Sequence, residues 1–192
     1  MDFYVVTDAE FDGPTPGRNS MLSFASVAVG GNGAVLGEFD AVLQPLAEAS
    51  PDPYTLAWFK SHPEAFAAAM ANPEPAGAVM ARFVSWVRDL PGEATFAAHP
   101  PALDGPWIDF YLQRFTKTRL TDGPWIEGRL FHTAGLCLRS FAAGRLGWPL
   151  SRCHVGNYPA AWLGSHPHSH RAIDDARGYA ALLRYLLTKG DR

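Results

Sequence analysis

The hydrophobic and polar positions of this chain predict elements in two blocks. Residues 3–7 (FYVVT) form a run of aromatic and β-branched side chains ending at Asp8, which predicts a buried strand with an acid at its tip. The turn-rich run Asp12-Gly13-Pro14-Thr15-Pro16-Gly17 follows. Residues 21–29 and 34–43 predict two further strands joined by a hairpin turn at Gly30-Gly31-Asn32-Gly33. Short links between three successive strands imply an antiparallel meander. The pattern then becomes helical at 53–60 and at 75–90, where Val79, Phe83, Trp86, Val87 and Leu90 fall on one face. A short strand at 95–98, a helix at 106–115, a short strand at 129–132 and a helix at 134–146 come next. Gly147-Trp148-Pro149 stops that helix. The last helix, 172–187, puts Ala176, Tyr179, Ala180 and Leu183 on one side. Three strands followed by alternating helix and strand predict an α/β fold with a mixed sheet.

Composition narrows this picture. A chain of 192 residues that is 47% hydrophobic, with six tryptophans, can bury one core, so a single domain spanning 1–192 is expected. The apolar runs are short, and Met1-Asp2-Phe3 lacks the basic-then-apolar pattern of an export signal, which predicts a soluble cytoplasmic protein with no membrane partner. Cys137 and Cys153 are too few for a disulfide framework. The net charge of −3 argues against a protein that coats long nucleic acid, but it hides a division. The first 109 residues carry 4 Lys/Arg against 14 Asp/Glu, and the remainder carry 12 against 5. Folded together, the halves could set a carboxylate-rich centre beside an arginine-rich wall, as suits a polyanion cut with metal ions; an ordinary solvated surface is the bland alternative.

Three segments carry candidate chemistry. Asp8 and Glu10 stand two apart at the end of the first strand, where alternation projects both to one face, and paired carboxylates suit hard cations. His170 lies five residues before Asp175 at the start of the last helix, although Asp174 and Asp175 there would also simply favour the helix dipole. Between these, His99 follows a short apolar strand and Asp104 stands five residues beyond it, with Asp109 a rival for the same role. A competing reading takes the alternating His166, His168 and His170, with Cys153 and His154, as a zinc site; a closed zinc site needs four firmly spaced ligands, which ranks it below the carboxylate reading. His166 and His168 therefore read as exposed loop residues. Trp58, Trp86, Trp107, Trp125, Trp148 and Trp162 offer stacking surfaces but read chiefly as core.

Taken together, the segments resemble in order and spacing the three motifs of the DEDDh 3′-to-5′ exonucleases, the family of polymerase proofreading subunits, oligoribonuclease and RNase T. Asp8 and Glu10 match the Asp-x-Glu, Asp104 the Asp of the second motif, and His170 with Asp175 the His-x-Ala-x-x-Asp-Ala. Two departures stand out: Phe11-Asp12-Gly13 replaces the usual Thr-Thr-Gly, adding an acid near the 3′ nucleotide, and Pro100 replaces the Asn that commonly follows the second-motif His. The resemblance implies an RNase H-like fold, a mixed five-stranded sheet with an antiparallel three-strand start, flanked by helices. It implies hydrolysis of single-stranded DNA or RNA from the 3′ end, releasing nucleoside 5′-monophosphates with two Mg²⁺ or Mn²⁺ ions. Asp8, Glu10, Asp104 and Asp175 would hold the ions and His170 would take the proton from water, while Ala9, Phe11, Met21 and Leu22 would seat the terminal nucleotide. Analogy also allows a homodimer. The alternative is a noncatalytic nucleic-acid-binding or protein-interaction module on the same fold, which would have been free to lose the five acidic and histidine residues.

Overall fold

Three strands open the chain, β1 (Asp2–Phe11), β2 (Met21–Gly30) and β3 (Val35–Val42), in the computed structural model, which describes residues 2–121, 123–124, 128–132 and 135–188. β1 and β2 pair antiparallel from Phe3↔Gly30 to Phe11↔Met21, and β2 pairs antiparallel with β3. In the turn between β2 and β3 the Gly33 N–H donates to the Gly30 carbonyl at 2.8 Å, with Gly33 at φ +80°, a region that side chains strain. The free edge of β1 pairs in parallel with β4 (Glu93–Ala98), and β4 in parallel with β5 (Leu136–Cys137). The order β3-β2-β1-β4-β5 is the expected mixed sheet, with β1 at its centre.

Alternation along β1 divides its side chains between two cores. Phe3, Val5 and Ala9 face α3 (Ala76–Asp89) and α4 (Pro101–Phe115), packing with Phe24, Phe83, Trp107 and Ile108. Val6, with Ala25, Val27 and Ala97, faces α6 (Ala172–Thr188) through Ala176, Ala180 and Leu183. A fully buried leucine such as Leu183 contributes roughly 1.5–3 kcal/mol, whereas the alanines contribute by being small. Ala25 and Ala97 on the sheet opposite Ala176 and Ala180 on the helix let α6 lie close over β1. Among the described residues, no helix is long and apolar enough to cross a membrane.

Several elements depart from the sequence pattern. β1 runs on to Phe11, so Asp8 and Glu10 project from the strand itself and not from its tip. α4 begins at Pro101, five residues earlier than expected, because proline at the first helical position loses no needed hydrogen bond. α1 (Pro53–Lys60) has the expected bounds, and α2 (Pro63–Ala69), again with proline in the first helical turn, forms where the sequence pattern predicted no element. The strand expected at 129–132 does not form: Arg129 makes one isolated bridge with Arg119, and the His132 N–H donates to the Ala94 carbonyl. The fifth strand is instead Leu136–Cys137, inside the expected helix, and α5 (Leu138–Leu146) starts after it; position 134 lies outside the described residues. Two residues of strand carry no periodicity, and only the exposed edge of β4 gives them a partner.

Candidate functional site

β1 outruns its parallel neighbour. Its pairing with β4 ends at Val6↔Ala97, so Asp8, Ala9, Glu10 and Phe11 continue beyond the partner strand into an open crevice. Crevices at the carboxyl ends of parallel strands are where α/β folds bind ligands, because backbone groups and side chains there lack sheet partners. The start of α4 fills part of this gap, and the Ala9 N–H donates to Asp104 Oδ1 at 3.2 Å. From the other side, α6 brings Asp175, which is buried over the sheet by the same packing. The result is a cleft of about 290 Å³ lined by Asp8, Ala9, Glu10, Phe11, Asp104, His170 and Asp175, together with Thr55, Trp58, His99, Leu103, His168 and Tyr179.

The cleft is acidic, with Asp104 and Asp175 buried and Asp8 and Glu10 half-buried. Ligand oxygens of Asp8, Glu10 and Asp175 all lie within 4.8 Å of one another. Burial, then repulsion from Asp104, Glu10 and Asp175, pushes Asp8 well above the ordinary carboxylate range. Burial, then Asp175 and Asp104, pushes Glu10 up to about 9. Burial raises Asp104 to about 7 against the opposing Ala9 hydrogen bond. Asp8, Glu10 and Asp175 converge as the donor set a hard divalent cation requires, and such a charge would reverse the repulsion and the upward shifts of Asp8 and Glu10. Asp104 stands outside the closest triplet and reaches it through β1.

Asp175 is held from two directions. Its Oδ1 accepts the Ser169 N–H at 3.0 Å, and its Oδ2 lies 2.9 Å from His168 Nδ1. His170 adopts φ 58°, a left-handed backbone conformation rare outside glycine, as the chain turns into α6. Its ring meets those of His168 at 4.6 Å, His62 at 4.7 Å and Trp58 at 4.9 Å between centroids. Burial, then the cations His168 and His62 would become, lowers the His170 pKa against the pull of Asp175. His99 stacks on Tyr179 at 4.5 Å and 13°, its Nε2 lies 3.2 Å from Tyr158 Oη, and burial pushes its pKa down to about 4. Tyr179 is raised by burial and by the surrounding carboxylates, so both rings stay neutral.

Other expected residues fall elsewhere. Met21 and Leu22 do not reach the cleft: Met21 is fully buried and donates its N–H to Tyr111 Oη at 2.9 Å, while Leu22 packs with Phe59, Ala65 and Ala69. Asp12 does not add an acid to the cleft either, because its Oδ1 accepts the Ser20 N–H and closes the loop after β1. In that loop Gly13 allows an approach that no side chain permits, since a Cβ would lie 2.2 Å from the Asn19 side chain. Asp109 accepts from the Leu120 N–H and pairs with Gln113 and Arg119, away from the carboxylates. Cys153 and His154 stay apart from the histidine run, with Cys153 buried beside the Pro149 carbonyl and His154 against Asn157. His168, Trp58, Thr55, Leu103 and Tyr179 are cleft residues that the sequence reading missed. The signal for Tyr179 was its i+4 spacing from Asp175, which puts both on one helical face.

Neither a protein-family model nor a curated protein matches this sequence. Solved structures do. The nuclease domain of the DEDDh family member 3′hExo, bound to rAMP, aligns at TM-score 0.68 and 11% identity over 98% of this chain and 93% of that one. A 3′-exonuclease in a structure of 3′-end recognition of a histone mRNA stem-loop aligns at 0.67 and 10%, over 98% and 83%. The zinc-bound form of E. coli exonuclease I with single-stranded DNA aligns at 0.68 and 17%; the match covers all of this chain but 42% of that enzyme. The likeness at such low identity is one of architecture, and this chain has the RNase H-like fold of the DEDDh 3′-to-5′ exonucleases.

Proposed function

We propose that the chain is a divalent-metal-dependent 3′-to-5′ exonuclease that acts on single-stranded DNA or RNA and releases nucleoside 5′-monophosphates, with residues 1–192 as one catalytic domain. The observation that carries this reading is the convergence of Asp8, Glu10, Asp104, Asp175 and His170 on one cleft in a fold of DEDDh type. Asp8, Glu10, Asp104 and Asp175 would hold two Mg²⁺ or Mn²⁺ ions. Bound there, the cations would neutralise the phosphodiester, ease loss of a proton from the attacking water and stabilise the leaving oxygen. His170 takes that proton, a task for which its lowered pKa keeps the ring neutral and ready.

Around the carboxylates the cleft turns apolar, which suits a terminal nucleotide. Phe11 is backed by a stack on Trp107 at 4.6 Å, and Trp58 and Leu103 remain 47% and 52% exposed. Phe11 and Ala9 would seat the terminal sugar and base, and Trp58 would offer a stacking face. Contacts of this kind read phosphate, sugar and ring faces and little of the base edge, so base identity should matter little. Neighbours with this fold have been seen with single-stranded DNA and with stem-loop RNA, which supports a nucleic-acid substrate here.

The test is degradation of strands labelled at one end and blocked at either terminus. A 5′ block should be tolerated, a 3′ block should stop the reaction, and chelation should abolish it until Mg²⁺ or Mn²⁺ is restored. Matched DNA and RNA oligomers from dinucleotides upward, run in parallel, would identify the preferred substrate. Equal cutting of circular strands would make the protein an endonuclease, and binding without turnover would make it a binding module.

A further inference from the structure

Asp175 is shared by two groups of ligand atoms, and the second has a different chemistry from the first. Asp8, Glu10 and Asp175 present oxygen only. Ligand atoms of His168, His170 and Asp175 also lie within 4.8 Å of one another, offering two nitrogens and one oxygen. His168 Nδ1 is already 2.9 Å from Asp175 Oδ2. Two ligands about 2.0–2.1 Å from one zinc ion stand roughly 2.9–3.4 Å apart, so this pair already spans one edge of a coordination polyhedron. The two imidazoles meet at 64°, converging instead of stacking. His62 packs on the His170 ring but stands outside this triplet, its Nδ1 lying 3.1 Å from the Trp58 carbonyl.

We propose that His168, His170 and Asp175 form a site for a borderline transition-metal ion, zinc foremost, separate in donor character from the all-oxygen set. Imidazole nitrogen favours zinc, cobalt and nickel over magnesium, which dehydrates reluctantly and keeps to oxygen. Three protein ligands leave solvent at the fourth position, and His168 stays exposed at the mouth of the cleft, giving an ion a way in. Ser169, between the two histidines, holds Asp175 Oδ1 through its N–H, so Oδ2 is the oxygen free to serve this site. Occupancy would take the His170 nitrogen and one oxygen of Asp175, and so arrest turnover. The metal site stands on its own geometry; the arrest rests on the exonuclease reading.

The test uses the whole chain and reads binding without any nucleic acid. Co²⁺ should give a visible d–d absorption that Zn²⁺ displaces and excess Mg²⁺ does not. On adding Zn²⁺, NMR of histidine side chains should move the ring nitrogens of His168 and His170 and leave His166 in place. His168→Ala should weaken Zn²⁺ binding by about tenfold or more, the scale seen even for loss of an outer-shell partner, while Mg²⁺ affinity changes far less. Should that variant unfold, His168→Gln and the wild-type NMR still decide. Unmoved histidine shifts at saturating Zn²⁺, or Zn²⁺ competing one-for-one with Mg²⁺ in wild type and variant alike, would reduce the His168 contact to an ion pair and overturn the proposal. Zinc bound as described in a protein without Mg²⁺-dependent cleavage would overturn the exonuclease reading and leave the metal site standing.

Discussion

Asp104 and Asp109 stand five positions apart on one helix, yet one points its carboxylate at β1 and the other at Leu120 and Arg119. Surroundings of this kind give each acid its task, and substitution tests them. Asp8→Asn and Asp175→Asn should each abolish turnover with circular dichroism unchanged, since both preserve volume and remove a ligand charge. The chelated Asp8→Asn protein should melt higher than wild type at pH 8, because burial, and then the neighbouring acids, disfavour a charge at that position. Activity retained in both variants would remove the metal assignment. His170→Ala should lower kcat by roughly 10²–10⁴-fold, the range for a lost general base. Because the His170 pKa is lowered, the acid limb of the wild-type kcat profile should fall below the ordinary histidine value, and His170→Ala should remove it. An acid limb at or above that value would assign the proton transfer to another group. His166→Ala, which alters nothing in the cleft lining, serves as the control.

At the scale of elements, the site depends on how closely α6 lies over the sheet. Ala176 is fully buried one residue after Asp175, facing the layer that holds Ala25 and Ala97. Ala176→Leu should force helix and sheet apart and destabilise the fold by about 1–3 kcal/mol, read from urea unfolding. It should also weaken Mg²⁺ binding more than its stability loss accounts for, because Asp175 moves with the helix. A variant that loses stability but keeps wild-type Mg²⁺ affinity would show that α6 spacing does not set the ligand geometry. β1 makes the complementary contribution. Its two acids stand on the α6 face while Ala9 and Phe11 turn to the other face, so one register supplies the acids and the apolar lining to which we assign metal and nucleotide.

For the molecule as a whole, the acidic cleft couples stability to pH. Glu10 and Asp104 carry pKa values of about 9 and about 7 in the folded chain, against ordinary values of 4.5 and 3.8. A carboxyl raised in this way binds its proton more tightly folded than unfolded. Its contribution is therefore complete below pH 4 and lost progressively up to about pH 9. Chelated protein should melt in one cooperative transition, as one domain, at temperatures that fall across that window. Added Mg²⁺ should raise them most at the alkaline end, where the carboxylates are charged. A melting temperature that is flat or rising from pH 5 to 9 would contradict the crowding. The sequence by itself determined the three-strand start, the bounds of α1, the closing helix and the five motif residues, because each is written in local alternation, turn chemistry or a compact motif. Tertiary structure alone showed what holds Asp109 away from the cleft, removed Met21, Leu22 and Asp12 from it, placed β5 and brought His168 and Trp58 to it. Those outcomes depend on which surfaces meet after the sheet and helices have packed, and no spacing along the chain encodes a contact between residues more than a hundred positions apart, such as Trp58 and His170.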